Sequence, residues 1–176
     1  MAKKKSSGSK PIKVSVAAVI ALVMISGIKH HHGHGILAGL DSIGSSGLST
    51  RGGWARAFLA ADGMPESRCD RRAVVAWEVA EGGGFGNQAT NNPLNLNPPA
   101  NVGWPGQEAI GAWAFPDTPA GQVDGLRYSV TNVQKYYPGI QSALRAGNNA
   151  QNVLTAVEDS PWAGSHYGYA LTAPPC

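Results

Sequence analysis

Residues 76–84 read AWEVAEGGG, and the sequence NNPLN follows at 91–95. The first stretch predicts a helix that ends on Glu81, because three consecutive glycines disfavour its continuation. A helix C-terminus carries partial negative charge and favours Lys, Arg or His over Glu. That field, together with Glu78 one turn back on the same side, disfavours the ionised form of Glu81. The sequence therefore predicts a raised pKa for this carboxyl, as a general acid requires, and the alternative is a solvated glutamate in a frayed last turn.

Helical signals continue on both sides of this stretch. Ser67 is expected to cap the Glu81 helix, with Asp70 three residues on, and the buried side is assigned to Val74, Trp77, Val79 and Ala80. Residues 82–106 show no period and predict a long functional loop. The other expected elements are a short helix from Trp54 closed by Gly63, a strand at 110–115, and helices from Pro119 to about Lys135, Pro138 to Leu144 and Asn149 to about Glu158. The predicted fold class is α+β and mostly helical, with the folded domain at 54–176.

The N-terminal third has a different composition. Residues 1–13 are lysine-rich, and 14–28 contain no charged residue. A run of this length lies between a secretory apolar segment and a spanning helix, and we favour an uncleaved signal anchor over a cleaved signal peptide. Residues 29–53 are rich in Gly, Ser and His and predict a linker. The basic tail is expected in the cytoplasm and the domain outside it, or secreted if the leader is cleaved.

The formal net charge of +3 comes from the N-terminal region, because residues 1–35 contain six lysines and no acidic residue. The rest of the chain has eight Lys or Arg and eleven Asp or Glu, a charge of about −3. There is no distributed basic face, so nucleic acid is not an expected partner. The four histidines at 30–34 match no defined metal spacing and are assigned to the tether, so neither a metal nor a cofactor is expected.

Cys69 and Cys176 are the two cysteines of the chain. In an oxidising compartment they would form a disulfide that ties the C-terminus to the start of a helix, although two unpaired thiols are equally compatible with the sequence. His166 is the single histidine of the domain and has no distinctive context, which disfavours a Cys/His peptidase.

In this order, the motifs resemble those of lysozyme-like peptidoglycan hydrolases, most closely the small glucosaminidase-type domains of actinobacteria and their phages. The similarity covers roughly residues 54–165. It is carried by Trp77, Glu81-Gly82-Gly83, Asn92-Pro93-Leu94-Asn95, Phe115, Asp124-Gly125, Tyr136-Tyr137-Pro138-Gly139-Ile140, Leu144-Arg145-Ala146-Gly147 and Ser160-Pro161-Trp162-Ala163.

The resemblance implies an enzyme that cleaves the glycan strand of peptidoglycan, with Glu81 as general acid in a cleft between a helical lobe and a small β-lobe. It also implies that Asn92, Asn95 and Tyr137 contact substrate. For the asparagines the alternative is turn chemistry, and for the tyrosine it is a place in the core.

No second acid is evident from the sequence. Glu108, Asp117 and Asp124 fall in the expected β-lobe or its exit, and none has a diagnostic context. A lytic transglycosylase or a substrate-assisted route would not need one, whereas two-acid hydrolysis would. The weak second carboxylate leaves a rival prediction open: a non-catalytic cell-wall-binding or structural protein, of a phage or a secretion apparatus, with the same fold. A third alternative is a secreted effector or inhibitor-type module with a cleaved leader.

Overall fold

The computed structural model describes residues 45–82, 89–97, 104–109, 111–161, 163, 167 and 170–176. All of them belong to the compact unit Gly33–Cys176. The predicted anchor at 14–28 and most of the predicted linker lie outside the described residues. None of the helices described here is both long and apolar enough to cross a membrane.

The described part of the chain is mostly helical and contains one short antiparallel hairpin. The elements are α1 (Ser45–Leu48), α2 (Arg51–Asp62), α3 (Arg68–Ala80), β1 (Gln107–Ala109), β2 (Ala112–Ala114), α4 (Pro119–Tyr136), α5 (Pro138–Ala146) and α6 (Ala150–Glu158). In the hairpin, Gln107 lies opposite Ala114 and Ala109 opposite Ala112. The α+β, mostly helical prediction is confirmed at this level of detail.

Side-chain caps define where the helices begin. Ser67 accepts a hydrogen bond from the Asp70 amide at 3.0 Å, and its hydroxyl donates to Asp70 Oδ2 at 2.7 Å. Thr118 and Asn149 cap α4 and α6 in the same way. Glycine at a left-handed φ ends α2 and α5, at Gly63 and Gly147, where a side chain would be strained. The caps at Ser67 and Gly63 lie where the sequence predicts them.

The folded part begins earlier than residue 54. Helix α1 and the start of α2 fall within the segment predicted as linker, and Leu48 is fully buried in the core. Thr50 caps α2 by accepting a hydrogen bond from the Gly53 amide at 3.2 Å. The Gly and Ser content of 45–53 conceals this cap, and Gly53 is needed because a Cβ there would collide with the Gly47 carbonyl oxygen.

The core lies where α3 packs against α2 and α6, and where α4 packs against α2 and α5. Trp54, Phe58, Trp77 and Leu154 are fully buried there. Asp62 is buried between α4 and α5 and accepts hydrogen bonds from Gln134 and Gln141, at 2.8 and 2.5 Å. This polar link joins three helices around one carboxylate.

Candidate functional site

Glu81 is the C-cap residue of α3. Its amide donates to the Trp77 carbonyl at 3.0 Å, and the Gly82 amide donates to the Val79 carbonyl at 3.1 Å. Gly82 adopts φ +63°, the left-handed conformation that turns the chain away from the helix. The side chain of Glu81 is 7% exposed, so it is not the solvated glutamate of a frayed turn.

Two polar side chains approach Glu81. The Tyr167 hydroxyl donates a hydrogen bond to Glu81 Oε1. The Asn95 amide donates to the Glu81 backbone carbonyl at 2.5 Å and also lies close enough to lower the pKa of the carboxyl. Tyr167 therefore orients the acid directly, whereas Asn95 holds its backbone against the turn.

Burial raises the pKa of Glu81 to about 7, and the hydrogen bonds from Tyr167 and Asn95 lower it from a still higher value. Removing water disfavours the charged carboxylate, whereas donors to its oxygens favour it. At neutral pH the carboxyl is therefore partly protonated and can give a proton to a leaving group.

Glu78 contributes differently from the sequence-based expectation. It is fully buried, and burial raises its pKa to about 9, with Arg51 opposing that shift. A carboxyl with this pKa is neutral at pH 7 and exerts no like-charge repulsion on Glu81. Among the residues that the structure describes, neither of its oxygens has a hydrogen-bond partner. Burial is therefore the cause of the raised pKa of Glu81. The expectation that a charged Glu78 contributes to this shift is wrong.

Asn92 lies inside the protein rather than on a cleft wall. It is fully buried, and its amide donates to the carbonyls of Leu96 at 2.8 Å and Trp113 at 2.9 Å. Its Oδ1 accepts from the Leu96 amide at 3.2 Å. All three bonds fix the turn to itself and to the hairpin. They support the turn alternative for Asn92, and its contact with substrate stays a prediction.

Asn95 lies at a turn position that suits asparagine, with φ +49°, and Asn91 has φ +60°. Asparagine tolerates the left-handed region better than most residues. The turn also rests on α4, where a Cβ at Gly125 would come 1.9 Å from the Asn91 carbonyl oxygen. Asn95 is half-buried and is the predicted substrate-contacting asparagine that the structure places beside Glu81.

Tyr137 belongs to the core. It is 6% exposed, its ring packs near that of Tyr136 at a centroid distance of 6.4 Å, and burial raises its pKa. Its amide donates to the Val133 carbonyl at the junction of α4 and α5. Burial of the ring supports the core alternative for Tyr137, and its contact with substrate stays a prediction.

The three candidates for a second acid lie in different environments. Asp117 is exposed in the turn before α4, and Asp124 is half-buried in the second turn of that helix. The side chain of Glu108 lies outside the described residues, although its backbone belongs to β1.

Tyr167 is the site residue that sequence reasoning missed. It lies 86 residues after Glu81 in a tail without periodicity. Its only sequence signal is membership of an aromatic-rich tail after Trp162, a residue that itself lies outside the described part.

The structure joins Cys69 and Cys176 in a disulfide, with Cα atoms 4.9 Å apart. Comparison of the chain with protein-family models, curated proteins and solved structures gave no match. Within the described ranges, no three His, Cys, Asp or Glu side chains come together as a metal site.

Proposed function

We propose that this protein is a lysozyme-like enzyme that cleaves the glycan strand of peptidoglycan, with Glu81 as general acid. The observation that carries the proposal is a carboxyl that is 7% exposed at a helix end and whose pKa is raised to about 7. Carboxyls with strongly shifted pKa values cluster at functional sites. Glu81 differs from the buried Asp62 and Glu78 in lying beside the turn that carries Asn95. The resemblance of the sequence motifs to those of lysozyme-like peptidoglycan hydrolases also supports the proposal.

In this mechanism, protonated Glu81 donates its proton to the glycosidic oxygen as the bond to the anomeric carbon breaks. The electron pair of that bond leaves with the departing sugar, and the remaining sugar develops oxocarbenium character. The hydrogen bond from Tyr167 then stabilises the carboxylate that Glu81 becomes. The proposal assigns a role to Glu81 alone; a lytic transglycosylase or a substrate-assisted route needs no second protein acid, whereas two-acid hydrolysis does.

The proposed location is outside the cell membrane, with the domain tethered through residues 14–28. The Cys69–Cys176 disulfide supports this, because disulfides persist in oxidising compartments. A tethered domain of net charge about −3 would reach the wall through the residues that precede α1.

The test is release of soluble sugar fragments from purified cell-wall sacculi by the full-length chain. The Glu81→Gln variant removes the proton while keeping the side-chain shape, and we expect release to fall about 10²–10⁴-fold. Glu66→Gln is the matched control, because Glu66 is exposed and pairs with exposed Arg56 at 3.9 Å. Equal release by Glu81→Gln and the parent would refute the role of Glu81.

A second candidate is a wall-binding protein without turnover. It is favoured by the Tyr167 hydroxyl bonded to Glu81 Oε1, since a glycosidic oxygen must approach a carboxyl that is already covered. Binding of sacculi without any release, unchanged in Glu81→Gln, would support this candidate instead.

A further inference from the structure

A groove of about 810 Å³ runs along the face of α3 that is turned away from Glu81. Its lining includes Arg68, Arg72, Val75 and Val79, which recur along one side of the helix. Glu81 continues the opposite series of Val74 and Trp77, both fully buried. The groove and the candidate acid are therefore separate sites on two faces of one helix.

The floor of the groove is apolar. Val75, Ala76 and Val79 come from α3, and Leu154 and Leu171 from α6 and the C-terminal tail. Val79 was expected on the buried side of α3, yet it is 53% exposed. It is the one large hydrophobic side chain among the described residues that is exposed to this degree, and it opens into the groove.

Four arginines surround this floor: Arg56, Arg68, Arg71 and Arg72. They are half of the eight basic residues after residue 35, in a region whose net charge is about −3. Within the described part, Arg56 alone has a carboxylate partner, and that pair is exposed. Among the described residues, the buried Nε of Arg71 has no hydrogen-bond partner. The groove therefore places the positive charges of Arg68, Arg71 and Arg72 next to apolar surface.

The walls of the groove are fixed by covalent and polar links. Gln151 on α6 donates to the Leu171 carbonyl at 2.8 Å and accepts from the Ala173 amide at 3.0 Å. Glu158 accepts from the Leu171 amide. The disulfide joins Cys176 to Cys69, next to Arg68. A preformed groove of this volume falls within the range of about 300–1,000 Å³ that is usual for ligand sites.

We propose that this groove binds a short acidic peptide segment of another molecule. Carboxylates of the segment would pair with the arginines, whose planar guanidinium groups match carboxylate geometry. Apolar side chains of the segment would cover Val79 and the floor. The concave shape favours an extended segment over a flat membrane surface. The inference does not depend on catalysis at Glu81.

The acidic segment proposed here does not come from the N-terminal region of the chain. Residues 1–44 contain six lysines and a single acid, Asp41. The complementary partner is therefore a different molecule that carries several carboxylates.

The probe is a fluorescein-labelled peptide of alternating glutamate and leucine, titrated with the full-length chain and followed by fluorescence anisotropy. Saturable binding is expected, together with about tenfold weaker affinity for Arg68→Gln/Arg72→Gln, since two charge-assisted contacts are lost. Lys135→Gln/Arg145→Gln is the matched control. It removes the same charge from exposed positions on α4 and α5 and should leave affinity unchanged.

Val79→Glu tests the apolar floor. Because Val79 is 53% exposed, the substitution should leave the thermal midpoint unchanged while abolishing binding through repulsion of the peptide. Three results would overturn the proposal: equal binding of a peptide with glutamine in place of glutamate, equal weakening by the control pair, or no saturation up to ~1 mM. Binding of phosphatidylglycerol vesicles but not of the peptide would overturn it in favour of a membrane surface.

Discussion

At the scale of single residues, the molecule is defined by carboxyl groups withdrawn from water. Asp62, Glu78 and Glu81 each have a raised pKa, to about 6, 9 and 7, and burial is the main cause at all three. Their surroundings differ. Asp62 accepts hydrogen bonds from two glutamines and Glu81 from a tyrosine, whereas no described residue donates to either oxygen of Glu78. The same residue type is thus structural at one position and suited to proton transfer at another.

The first prediction concerns the pH dependence of glycan cleavage. A general acid works in its protonated form, so activity should be highest below pH 7 and fall as Glu81 ionises through about pH 7. The Tyr167 hydroxyl lowers this pKa, so Tyr167→Phe should move the falling limb to higher pH. The measurement is a pH–rate profile of fragment release. An unchanged profile in Tyr167→Phe would show that the hydrogen bond does not tune the acid.

The second prediction concerns stability and Glu78. Its folded-state pKa is raised from 4.5 to about 9, so the native state binds more protons than the unfolded chain between these values. The contribution of protonated Glu78 to the free energy of unfolding is therefore fully present below about pH 4.5. It is lost as pH rises toward 9, with a slope of about 1 kcal/mol per pH unit. Glu78→Gln removes this titration, so its free energy of unfolding should fall less between pH 5 and 9.

The measurement is urea unfolding of the parent and of Glu78→Gln at several pH values. The burial of Asp62 and Glu81 contributes the same sign at lower pH, up to about 6 and 7, so the difference between the two proteins should be clearest above pH 7. Parallel pH profiles for the two proteins would contradict the assignment.

At the scale of elements, helix α4 supports the turn that holds Glu81. Gly125 in α4 contacts the Asn91 carbonyl, and the turn that begins there carries Asn95 to the Glu81 backbone. The hairpin is linked to the same turn, since Asn92 bonds the Trp113 carbonyl. The site therefore depends on close approach between a helix, a turn and a two-stranded hairpin.

The third prediction tests the close contact between α4 and the turn at Asn91. Gly125→Ala would place a Cβ 1.9 Å from the Asn91 carbonyl oxygen, so the turn or the helix must shift. We expect a loss of about 1–3 kcal/mol in the free energy of unfolding, the usual cost of overpacking, and reduced glycan cleavage. The matched control is Gly139→Ala in α5, where a Cβ meets nothing within 4 Å. It should be neutral or slightly stabilising, and equal effects of the two variants in urea unfolding would contradict the packing argument.

At the scale of the whole molecule, the disulfide links two parts of the domain that are far apart in sequence. It joins α3 to the end of the chain across a sequence separation of 107 residues. Residues 170–174, which precede Cys176, form one wall of the groove lined by Arg68 and Arg72. This segment also forms hydrogen bonds with Gln151 and Glu158 of α6. One covalent link therefore positions both the C-terminus and a surface unrelated to Glu81.

The fourth prediction concerns this link. Cys69→Ser/Cys176→Ser should lower the free energy of unfolding by about 2–5 kcal/mol, because the unfolded chain regains the freedom that a long closed loop removes. Thermal unfolding of the variant, with and without reductant, is the measurement. Reductant should lower the midpoint of the parent and leave the variant unchanged, and an unchanged parent would contradict the link.

The sequence by itself determined helices α3 to α6, the Ser67 cap and the position of Glu81 at a helix end, but not α1 or the Thr50 cap of α2. These features follow from interactions within a few residues, such as Ser67 with Asp70 or Gly82 after Glu81. Only the tertiary structure decided which side chains are withdrawn from water and which meet. It buried Asn92 and Tyr137, exposed Val79, brought Tyr167 to Glu81 and gathered four arginines around one groove. Burial and long-range contact depend on how helices pack, and that packing is set by the whole chain rather than by any local pattern.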